Sequence, residues 1–69
     1  MNTEIIFVVE EAAEGGYSAK ALGESIFSEG ETMQEIKDNV KEAVLTHFDE
    51  DKKPSMIRLH FIKQELIKL

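Results

Sequence analysis

The chain has 69 residues, of which 14 are acidic and 8 basic, for a formal net charge of −6. That length makes one domain, residues 1–69, near the lower limit at which a packed core sustains itself unaided. With no cysteine, disulfide staples and thiolate metal sites are excluded, and the acidic balance argues against gripping a phosphate backbone.

Thr3 to Glu11 reads as a strand with Ile5, Phe7 and Val9 on one face and Ile6 and Val8 on the other. A strand apolar on both faces calls for cover on both. Gly15-Gly16 then supplies the backbone freedom of a tight reversal. Tyr17 to Leu22 forms the second strand, where Tyr17, Ala19 and Ala21 share a face and the alanines leave room for a helix to come close. Gly23-Glu24 turns the chain into a short third strand, Ser25 to Ser28.

The stretch Gly30 to Phe48 is a helix. Thr32 followed by Glu35 is a capping box, in which the hydroxyl accepts from the Glu35 amide and the carboxylate reaches back. At about 100° per residue, Met33, Ile36, Val40, Ala43, Val44, His47 and Phe48 fall on one side, and Gln34, Glu35, Asp38, Asn39, Glu42 and Thr46 on the other. A charged loop follows, and Pro54 keeps the next element apart from the helix. Met56 to Lys63 is the fourth strand, with Ile57, Leu59 and Phe61 on one side and Met56, Arg58, His60 and Ile62 on the other. The tail, residues 64–69, fits either a last helical turn or an edge extension.

The expected fold class is therefore α+β: a three-stranded antiparallel meander, one helix on one sheet face, then a fourth strand (β-β-β-α-β). One helix covers one face. The other face, with Ile6, Val8, Met56, Arg58, His60 and Ile62, is the expected partner or oligomer interface, since a large apolar patch left in water marks a contact surface. The alternative is that Leu66, Ile67 and Leu69 fold back over it.

No catalytic constellation emerges. His47 reads as a border residue in the last helical turn, favoured there by the helix dipole, and His60 as a half-exposed strand residue. Two histidines without a placed carboxylate make a poor metal site, and Asp49-Glu50-Asp51 lacks calcium-loop spacing. Gly15-Gly16 is not followed by the lysine and serine of a phosphate loop. Ser18, Ser25 and Ser28 have no triad partners nearby. Tyr17 and Phe27 lack the basic surround of an RNA-stacking sheet and read as core-packing residues. The chain thus reads as a binding or assembly module, not an enzyme, with no cofactor and no metal. No apolar run approaches the roughly 20 residues of a membrane span, and the N-terminus lacks a signal-peptide pattern, so a cytoplasmic location is expected.

Three segments carry a family resemblance: Glu14-Gly15-Gly16-Tyr17-Ser18-Ala19, then Ser28 to Glu35, then Asn39-Val40-Lys41-Glu42-Ala43-Val44. Together they resemble the HicB-like antitoxins over residues 3–50. Gly15, Gly16 and Tyr17 match the hairpin, Thr32 and Glu35 the helix cap, and Ala43 a close-packed helix position. The resemblance implies the same β-β-β-α-β order and a protein partner, a small basic HicA-like toxin that cleaves messenger RNA. Two departures stand out: 22–27 lacks the proline-rich turn and cysteine of relatives, and no DNA-binding unit follows the domain, so direct DNA binding is not expected. A second reading is a self-assembling homo-oligomer, with a dimer favoured, holding a small ligand at its interface.

Overall fold

The computed structural model of the chain describes residues 4–63 and 65–69. The elements are β1 (Glu4–Glu11), β2 (Tyr17–Ala21), β3 (Phe27–Gly30), α1 (Met33–His47) and β4 (Met56–Ile62), the expected β-β-β-α-β order. Thr3, expected to open the first strand, and Gln64 lie outside the described residues. The four strands form one sheet in the order β3-β2-β1-β4. The meander is antiparallel, whereas β4 runs parallel to β1 and forms an edge, so the sheet is mixed.

Period-two patterning decides which side of the sheet is filled. Ile5, Phe7 and Val9 of β1 point toward α1, as do Ala21 and Ala19, the register partners of Phe7 and Val9 on β2; both alanines are buried there with Ile26 of the turn that follows β2. The helix presents Ile36, Val40 and Val44 to them. Among the described residues no polar side chain is buried.

Two glycines set the spacing of these layers. Gly16 has φ of +83° in the β1–β2 turn, closed by Ala12 N–H donating to the Gly16 carbonyl at 3.0 Å and Gly15 N–H to the Ala12 carbonyl at 3.0 Å. Gly30 ends β3 where the chain passes the helix, and a Cβ on it would stand 2.7 Å from the Ile36 nitrogen. The third strand therefore runs two residues later than its apolar content implies. Ser25 and Ile26 belong to the turn, where Ala21 N–H donates to the Ile26 carbonyl at 3.0 Å. Glu29 and Gly30 pair with Ser18 and Tyr17.

The helix cap forms as its residues dictate. Thr32 Oγ1 accepts from the Glu35 amide at 3.1 Å, and the Glu35 carboxylate accepts from the Glu31 amide at 3.2 Å, one residue before the cap. Asn39, assigned to the solvent side, instead donates through Nδ2 to the Glu29 carbonyl at 2.7 Å, tying α1 to β3. His47, assigned to the apolar side, is exposed: its Nε2 lies 3.2 Å from Glu24 Oε1, and its ring meets Phe48 edge-on at 4.9 Å.

Candidate functional site

The face of the sheet opposite α1 is built by the alternate residues of the same strands. On β1 these are Glu4, Ile6, Val8 and Glu10, and on β4 they are Met56, Arg58, His60 and Ile62. The parallel register sets Glu4 beside Met56, Ile6 beside Arg58, Val8 beside His60 and Glu10 beside Ile62. All six residues expected at an interface, Ile6, Val8, Met56, Arg58, His60 and Ile62, thus lie on one continuous surface across two neighbouring strands. Val8 also stands beside Lys20 of β2, which in turn faces Phe27 of β3. Phe27, expected in the core, instead extends this surface, because its register with Lys20 and Val8 turns it away from the helix.

Met56 and Phe27 are 62% and 61% exposed, while Ile6 and Val8 are half-buried by their neighbours. Polar groups pin the surface at one end. Arg58 Nε donates to Glu4 Oε2 at 3.0 Å and its terminal nitrogen to Glu4 Oε1 at 2.9 Å, a two-pronged pair linking β4 to β1. That hydrogen bond lowers the Glu4 carboxyl below its ordinary value; partial desolvation pulls the other way, and the Arg58 charge reinforces the lowering. The same bond raises Arg58. Such a surface can bind another surface by apolar contact with a fixed charged marker.

The chemistry-bearing residues are dispersed. His60 stands on this face beside Val8, whereas His47 lies at the end of α1 with Glu24. In the acidic loop Lys53 Nζ holds Glu50 Oε1 at 3.0 Å. Among the described residues no three His, Cys, Asp or Glu side chains stand together as a metal site, and no helix is long and apolar enough to cross a membrane. Gly15, Gly16, Tyr17, Thr32 and Glu35 occupy the hairpin and the helix cap, both structural positions. The tail residues Leu66, Ile67 and Leu69 are 101%, 83% and 114% exposed and form neither a helical turn nor a strand. They do not cover the sheet.

These features define a small α+β domain whose single helix shields one face of a mixed four-stranded sheet and leaves the other bare. The chain belongs to the UPF0150 family. It is 46% identical over 52 residues to a UPF0150 protein of Archaeoglobus fulgidus, an alignment spanning 75% of this chain and 77% of the relative. It is 39% identical over 64 residues to a UPF0150 protein of Thermotoga maritima, spanning 93% of this chain and 90% of that one. No protein-family model and no solved structure matches the chain.

Proposed function

We propose that the chain is a non-enzymatic protein-binding module of the HicB antitoxin kind, whose partner is a small basic RNA-cleaving toxin. The observation that carries this reading is the bare face of β1 and β4, where Ile6, Val8, Met56 and Ile62 flank the Glu4–Arg58 pair. Its supports are the resemblance of the hairpin, the helix entry and the Asn39-to-Val44 segment to that family, and the lack of any grouped catalytic side chains among the described residues. A formal net charge of −6 would speed and select encounter with a basic partner.

The test uses the product of a small basic reading frame adjacent to the gene, titrated with the purified chain in a calorimeter. Tight binding is expected, falling at least about 100-fold for Val8→Lys, which sets a charge in the middle of the apolar face. The Val8→Lys chain should keep its circular dichroism spectrum, because Val8 points away from the core. Binding unchanged in Val8→Lys, or no binding by the wild-type chain, overturns the reading.

A further inference from the structure

A second uncovered surface lies on the helix side of the sheet edge. Between α1 and β4 runs a groove of about 590 Å³ floored by Val44, Leu45, Ile57 and Leu59. Leu45 is 51% exposed within it. Lys37, Lys41 and Lys53 also line the groove, so three of the chain's eight basic residues gather at one apolar trough. Among the described residues β4 has no strand on its far side, so its outward backbone groups are open to strand addition.

We infer that the occupant of this edge and groove is segment 65–69 of a second copy of the chain, exchanged reciprocally. Three observations select it. Leu66, Ile67 and Leu69 are as exposed as in an extended chain, which large aliphatic residues abandon when a surface is offered. Laid as a strand along β4, the segment alternates: Glu65, Ile67 and Leu69 face one side, Leu66 and Lys68 the other. The side with two aliphatic residues and the carboxylate fits the apolar groove and its lysines. Leu66 then falls on the other sheet face, where Met56 and Ile62 are exposed. Both parities of the segment find cover, which explains why it is apolar on both.

Exchange is favoured over folding back within one chain by the turn that folding back would need. A two-residue hairpin after Ile62 would place Lys63-Gln64 at the bend, and such turns want glycine or asparagine for their positive φ angles. The area is also sufficient. Each buried Leu or Ile removes roughly 100 Å² of its own surface, with a matching area of groove. Three such side chains, with both surfaces counted and both arms exchanged, come to about 1,200 Å², where specific interfaces begin. This inference does not rest on the toxin reading, because it uses a different surface.

The test starts from a chain that contains no cysteine. Light scattering of the full chain should give a dimer. Ile67→Asp combined with Leu69→Asp should weaken that dimer by at least about 100-fold, two apolar anchors at tenfold or more each, with an unchanged thermal midpoint of the monomer fold. Separately, a chain carrying Leu45→Cys and Ile67→Cys should oxidise to a disulfide between chains, seen at twice the mass on a non-reducing gel. A monomeric wild-type chain, a dimer indifferent to the two aspartates, or a disulfide closed within one chain each overturns the inference. So does a dimer dissolved by Val8→Lys and untouched by the tail variant, which would assign the contact to the bare sheet face instead.

Discussion

The two faces of the sheet are made from the same strands, and adjacent residues meet opposite fates. Phe7 is fully buried under α1, while Val8, the next residue, stands half-buried beside Lys20 and His60. Ile57 and Leu59 pack against the core, while Met56 between strand and solvent is mostly exposed. A 15-residue helix is roughly 22 Å long at 1.5 Å per residue, enough to shield one face of a short sheet. The covered face therefore carries most of the stability, and the bare face contributes less to it. On that division, damage to the first should unfold the chain and damage to the second should spare it.

The sharpest way to break the comparison is to truncate neighbours. Phe7→Ala leaves a cavity beneath Ile36 and Val40 and should cost about 3–5 kcal/mol, much of the stability of so short a domain. Val8→Ala should cost under about 1.5 kcal/mol, since Val8 is only partly removed from water. Urea titrations followed by circular dichroism check both. Equal losses would mean that the outer face is also a core. Next in size is Gly30→Ala, whose new methyl would press the Ile36 backbone at 2.7 Å. Overpacking of this kind should cost about 1–3 kcal/mol. An unchanged midpoint would show that β3 can retreat from the helix.

What the sequence disclosed follows from short-range rules. Thr32 and Glu35 announce the cap because hydroxyl and carboxylate act within one turn. The alternation in 4–11 and 56–62 separates the faces because strand parity is local. The parallel placement of β4 beside β1 was not legible, since the same alternation suits either direction and either edge. The start of β3 was missed because Ile26 looks like a strand residue, yet it is buried from a turn, while Glu29 and Gly30 gain their strand from partners on β2. Asn39 read as solvent-facing because its acceptor, the Glu29 carbonyl, lies ten residues away. For the bare face, parity gave the members and the fold brought β1 and β4 together. Phe27 joined only through the shifted strand.

The smallest expected effect concerns the polar pair at the end of that face. Glu4 is hydrogen-bonded by Arg58, which lowers its carboxyl from the ordinary 4.5. A carboxyl held lower in the folded chain than in the unfolded one binds fewer protons when folded. Its contribution is therefore complete above pH 4.5 and is lost as pH falls through the lowered value. Both side chains remain in contact with solvent, so salt and water screen the pair. The wild-type chain should lose slightly more stability than Glu4→Gln between pH 7 and pH 3, with the difference shrinking at high salt. Parallel acid slopes for the two proteins would mean that the pair marks the surface without holding β4 to β1. The attachment of the edge strand would then fall to Ile57 and Leu59, which pack against the same core that fills the other side.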